Sequence, residues 1–89
     1  MHAVLVQVTI NDREEATARL RNEIVPMVKQ APGFVAGYWV RVNGQGRGTI
    51  VFESEEAARA VADRINEGRM SGEEVTLDSV DVGEIVESA

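Results

Sequence analysis

The spacing of apolar residues in this 89-residue chain switches between steps of two and steps of three to four, and the order of those switches leaves few folds open. From His2 to Ile10 the residues are mainly Val, Leu, Ile and Thr, with Val4, Val6, Val8 and Ile10 on one face and Leu5, Gln7 and Thr9 on the other. That mixture reads as a strand with one face for a core and one for a wetter environment. Asn11-Asp12 supplies cap chemistry, with Asp12 and Glu15 at capping-box spacing and Glu14 near the positive end of a helix expected to run to about Gln30. Ala16, Leu20, Ile24, Met27 and Val28 form its apolar stripe. Pro26 is expected to bend it, because proline removes a donor and clashes with the preceding turn, and Ala31-Pro32-Gly33 ends it.

A second strand is predicted over Phe34–Val42 and a third over Thr49–Glu53, with Ile50 and Phe52 inward. Between them Asn43-Gly44-Gln45-Gly46-Arg47-Gly48 reads as a hairpin connection. If residues of like parity face each other, its loop holds an odd number of residues, about five from the glycine content. Ser54, followed by Glu55 and Glu56, starts a second helix whose inward stripe is Ala58, Val61, Ala62 and Ile65, and Gly68 ends it. Residues 69–74 read as a polar surface loop, and Val75–Val86 as a fourth strand with Val80, Val82 and Val86 inward and a bulge at Gly83. The resulting βαββαβ order is the split βαβ arrangement of the ferredoxin-like α+β fold. A four-stranded antiparallel sheet with both helices on one face is expected, as a single domain over 1–89.

A chain this short hides only about 60 to 65% of its unfolded surface, so burial against a second copy would stabilise it substantially. It has no cysteine, which excludes disulfides, thiolate metal sites and a thiol nucleophile, and fits a cytoplasmic setting. No signal peptide is expected at Met1-His2-Ala3-Val4, and no segment approaches the roughly 20 apolar residues of a membrane span. Fifteen acidic against nine basic residues give a net charge of −6, and the bases are dispersed, which argues against nucleic acid and anionic membranes as partners.

With the helices on the even-numbered face, Leu5, Val35, Trp39 and Val51 are expected on a bare opposite face, interleaved with Gln7, Thr9, Arg41, Thr49 and Glu53. Six residues by four strands is roughly 400 Å². An exposed tryptophan in its middle points to a homodimer interface. Tyr38, adjacent in the strand, is then expected in the core with its hydroxyl at an edge, and Arg41 and Glu53 as a cross-strand or an intersubunit ion pair.

The segments Val25-Pro26-Met27-Val28-Lys29-Gln30-Ala31-Pro32-Gly33-Phe34 and Glu53-Ser54-Glu55-Glu56-Ala57, set in this element order, resemble the dimeric α/β-barrel superfamily, in particular its antibiotic-biosynthesis-monooxygenase-like branch. The resemblance implies a homodimer of face-to-face sheets, with a cleft in each subunit. Cofactor-independent oxygenases of that branch set Asn, Trp, Tyr, Arg or His around an aromatic substrate, and Gln7, Tyr38, Trp39 and Arg41 are loosely comparable. Its haem-degrading members use a histidine on the second helix. The one histidine here is His2, read as a strand-end residue, so no cofactor and no metal are expected.

The Gly44, Gly46 and Gly48 run joins two strands and is read as turn chemistry, since a phosphate-binding loop needs a helix after it. Met27 and Met70 are read as gap-fillers or surface residues. The candidate cleft or dimer-face residues are therefore Gln7, Thr9, Trp39, Arg41, Val51 and Glu53. Two functions fit: a noncatalytic homodimer that binds a small apolar or aromatic ligand or another protein, or a cofactor-independent monooxygenase-like enzyme acting on an aromatic or polyketide-like molecule. A scaffold should fill its cleft with its own side chains, whereas an enzyme should hold an enclosed pocket on which polar groups converge.

Overall fold

In the computed structural model, which describes residues 1–68 and 73–89, the elements follow the expected order. They are β1 (His2–Ile10), α1 (Arg13–Arg19), a π-helical turn (Leu20–Ile24), α2 (Val25–Lys29), β2 (Phe34–Val42), β3 (Gln45–Phe52), α3 (Glu55–Asn66) and β4 (Val75–Glu84). The strands form one antiparallel sheet in the order β2-β3-β1-β4, so the alternating Val-rich β1 takes a central place. This is the ferredoxin-like fold. Among the described residues no helix is long and apolar enough to cross a membrane.

The helices cover the even-numbered face of β1 and β3. Val4, Ile50 and Phe52 of the sheet are essentially fully buried against Val28 of α2 and against Ala58, Val61, Ala62 and Ile65 of α3. Phe34 meets Phe52 edge-on at 6.2 Å between ring centres. Each Val, Ile and Phe side chain among them contributes about 1.5–3 kcal/mol by leaving water, which makes this packing the main attachment of α3 to the sheet. Ser54 and Asp12 cap their helices as expected, accepting from the backbone N–H groups of Ala57 and Glu15. Gly68, at φ 81°, closes α3 with its N–H on the Ile65 carbonyl.

Proline changes the first helix more locally than a bend. Pro26 has no N–H to give the Asn22 carbonyl, and just before it the helix widens so that Val25 N–H donates to Leu20 O, five residues back. The widened turn keeps Leu20, Ile24, Met27 and Val28 directed at the sheet.

Four expectations about the strands are corrected. The hairpin loop has two residues, Asn43 and Gly44, both with positive φ (48° and 80°), and Val42 already pairs with Gln45. An even loop reverses parity across the hairpin, so Gly37, Trp39 and Arg41 of β2 face the helices, opposite Ile50, Gly48 and Gly46 of β3. A bulge that leaves Val35 unpaired restores Phe34 to the same side as Phe52. Trp39 therefore packs against the core, while Tyr38, assigned to the core from the sequence, is 67% exposed on the other face. In β4, Val80 and Val82 face inward, but Val86 lies beyond the strand and is 87% exposed. The irregularity falls opposite Gln7 and Val8, at Asp78, whose carboxylate accepts from Thr9 Oγ1 at 2.8 Å; Gly83 pairs regularly with Ala3. Most of the predicted 69–74 loop, Met70 included, lies outside the described residues.

Glu74, at the start of β4, is the buried charged residue of the described chain. Its carboxylate accepts from Arg19 of α1 at 2.5 Å, and its carbonyl accepts from the N–H groups of Asn11 and Asp12. The first helix is thus tied to the β4 edge. A hydrogen bond from its own backbone amide, and after it the Arg19 guanidinium, holds the Glu74 carboxyl below the usual glutamate range against the opposing effect of burial. The stabilisation is complete above the unfolded-state value, about pH 4.3, and disappears as the pH falls through the lower folded value. Glu74→Gln should cost about 1–3 kcal/mol at pH 7, and the gap from wild type should close on acidification, as read by urea denaturation at pH 7 and pH 3.

Candidate functional site

Between the first helix and the helix-facing side of the sheet lies a partly open cavity of about 150 Å³. Ala16, Thr17, Leu20 and Ile24 roof it, and Val6, Val8 and Ile10 of β1 with Val75 and Leu77 of β4 form one wall. Trp39 and Arg41 form the other, and Ile50 and Ile65 close the deep end. The enclosure is largely apolar. A cavity of this size, when apolar, is large enough to hold a benzene molecule.

The glycines of β3 shape this wall. Trp39 pairs with Gly48 across the ladder and its indole reaches from Gly48 to Gly37. A Cβ at Gly48 would stand 3.0 Å from Trp39 Cδ1, and one at Gly37 would stand 2.7 Å from Cη2. Gly46 likewise leaves the space taken by Val8, whose Cγ2 would be 2.9 Å from an added Cβ. Of the alternating glycines read from the sequence as turn material, Gly44 is a turn residue, while Gly46 and Gly48 are strand residues, used where neighbouring side chains must lie against bare backbone.

Polar groups gather at one end. Arg41 Nη2 donates to Thr17 Oγ1 at 2.7 Å, joining β2 to α1 across the cleft. Because a carbonyl only accepts, the Thr17 hydroxyl donates to Arg13 O at 2.9 Å while it accepts from Arg41. Among the described residues the Trp39 indole N–H has no acceptor, which leaves it as a further donor beside the cavity. Val40 and Arg47 also border the site, but the register turns their side chains to the opposite face. Among the described residues the lining has no carboxylate, imidazole, thiol or phenol.

Of the six sequence candidates, Trp39 and Arg41 meet in this cleft. Gln7, Thr9 and Val51 lie on the opposite face, with Gln7 across from Arg47 and Ser79. Glu53 follows β3 and binds Gly33 O through its N–H, and Arg41 sits across from Gly46, so the two do not pair across the strands of one chain. The bare face carries Leu5, Tyr38, Val40 and Val42, with Val35 beside the bulge. Thr17, Leu20, Ile24, Gly46 and Gly48 were not singled out as site residues. The two-residue spacing of Gly46 and Gly48, right for one face of a strand, was the available signal.

Haem does not fit this donor set. Among the described residues the lining offers none of the His, Cys, Met or Tyr side chains that ligate haem iron, and His2 lies outside it, 3.8 Å from Glu55 at the start of α3. Among the described residues no cluster of three or more His, Cys, Asp or Glu could hold a metal ion.

The sequence matches no protein-family model and none of the curated proteins. The fold is similar to that of SnoaB, a cofactor-independent oxygenase from Streptomyces nogalater, at 11% identity over 98% of this chain and 94% of that one, with a TM-score of 0.75. It is also similar to the monooxygenase ActVA-Orf6 of Streptomyces coelicolor in complex with nanaomycin D, at 13% identity over 98% and 92%, with a TM-score of 0.58. A dimeric ferredoxin-like protein from an uncultured marine organism matches at 10% identity over 100% and 98%, with a TM-score of 0.64. The resemblance to the monooxygenase-like branch read from the sequence thus stands as a resemblance of fold.

The seating of Trp39 on glycine has a direct test. Gly37→Ala should force the indole toward the cavity and cost about 1–3 kcal/mol, with a smaller cost for Gly48→Ala. Both should shift the emission of Trp39, the single tryptophan of the chain, and lower the thermal midpoint in that order.

Proposed function

We propose that this chain binds a small, planar, largely apolar molecule between its first helix and its sheet, and that it does so as a homodimer. The observation that carries the reading is the unfilled apolar cleft of about 150 Å³, floored by Trp39 and bordered at one end by Thr17 and Arg41. A scaffold with no ligand has no use for such a space, since closing it with larger side chains at Ala16 or Thr17 would stabilise the packing. Binding follows from the cleft's chemistry: a flat ring displaces poorly bonded water from an apolar wall and lies against an indole.

The homodimer is inferred from the bare face. Leu5, Tyr38 and Val40 are 46%, 67% and 55% exposed there, an aromatic and two aliphatic side chains, and interface cores are apolar and enriched in aromatic residues. A fold neighbour is itself a dimeric ferredoxin-like protein, which supports a second copy as the occupant.

Oxygenation without a cofactor is the second reading, favoured by the likeness to SnoaB. Dioxygen would be the oxidant: a ring CH2 becomes a carbonyl that keeps one oxygen atom, and the other oxygen leaves as water. Among the described residues the cavity wall has no group suited to take a proton, so the substrate CH2 must be acidic enough to lose its own to water, with Arg41 facing the resulting anion.

Two measurements test these readings. Ala16→Phe should fill the cleft and abolish binding of 2-naphthol by calorimetry while raising thermal stability or leaving it unchanged; retained binding would remove the cleft as the site. Light scattering should give twice the chain mass for wild type and a folded monomer for Val40→Asp, because a charge on this face is costly only when the face is covered. Oxygen uptake with an aromatic ketone bearing an acidic CH2 separates enzyme from binder.

A further inference from the structure

The polar end of the cleft specifies the ligand more closely. We infer that Arg41 makes the site selective for a planar aryl carboxylate over the neutral molecule of the same shape, with Thr17 as a positioning residue. The inference rests on the proposal that the cleft binds a ligand. Arg41 is the cation whose side chain the register directs to the cleft side of the sheet, two residues from Trp39 on the same strand face, hence about 6.6 Å further along it. That spacing suits a ring lying on the indole with its carboxylate on the guanidinium.

Three features favour an anion there. Among the described residues no carboxylate lies within salt-bridge distance of Arg41; Arg13, Arg21, Lys29, Arg47 and Arg64 are likewise without one, and Arg41 differs from them in facing the cleft. In a chain of net charge −6, leaving a cleft cation without an acidic partner is what an anionic ligand requires. The single bond to Thr17 uses one of the five guanidinium N–H groups, so the rest of the fork stays available for a two-point carboxylate contact. Thr17 is itself held by the Arg13 carbonyl, which fixes the direction of its lone pairs and therefore of Arg41.

The test compares 2-naphthoate with 2-naphthamide by isothermal titration calorimetry at neutral pH, with the single indole N–H resonance of Trp39 locating both compounds in the cleft. Wild type should bind the acid about tenfold more tightly than the amide, the range expected of a charge-assisted contact at a partly exposed site. Arg41→Gln should bring that ratio to about one, Arg41→Lys should keep part of it, and Thr17→Val should reduce it by roughly threefold by releasing the guanidinium. Circular dichroism confirms that each variant is folded. A ratio near one in wild type, or one unchanged in Arg41→Gln, overturns the inference while leaving the cleft as a binding site. If neither compound moves the Trp39 resonance, the cleft reading fails and takes this inference with it.

Discussion

The positive φ angles at Asn43 and Gly44 govern more of this molecule than any other local feature. A two-residue connection of that hand matches the twist of the strands it joins, and its even length sets odd residues of β2 opposite even residues of β3. Because side chains alternate strictly along a strand, this one parity decides which of Tyr38 and Trp39 faces the helices. The bulge at Val35 completes the arrangement by returning Phe34 to the core, where it meets Phe52. Without it, the strand could not serve both the deep core and the cleft wall.

The cleft follows from how that wall is built. An indole laid across bare backbone occupies little depth, so Gly37 and Gly48 allow a large aromatic surface without filling the space above it. On the opposite side the π-helical turn before Pro26 keeps Leu20 and Ile24 over the cavity. The packing that fixes α3, from Val4, Phe52, Ala58 and Val61, meets this space at Ile50 and Ile65, which close its deep end. Stability and ligand access consequently share one sheet face, and the Arg19–Glu74 pair anchors the first helix from the β4 side.

Charge is arranged with the same economy. Most of the acidic excess lies on exposed surface, while Arg41 projects to the cleft with a hydroxyl in place of a carboxylate as its partner. A hydroxyl orients the guanidinium without neutralising it. The comparison with oxygenases and with a dimeric ferredoxin-like protein establishes the fold, and these features of the chain's own residues carry the functional proposal beyond it.

The element order, both helix caps, the α3 stripe and the inward set Val4, Val6, Ile50 and Phe52 were legible in the sequence, because capping and amphipathic periodicity act over a few residues. Trp39 and Arg41 were legible as site residues, but their face was not: parity across a hairpin depends on the loop length, and the glycine-rich run allowed both a five-residue loop and the observed two. Thr17, Leu20 and Ile24 became site residues only when the first helix crossed above β2. The sequence by itself determined which residues form strands and helices; the tertiary structure decided which strand face met which helix. Local propensity sets the former, whereas strand register is a long-range choice in which one residue of slip exchanges every side chain between core and solvent.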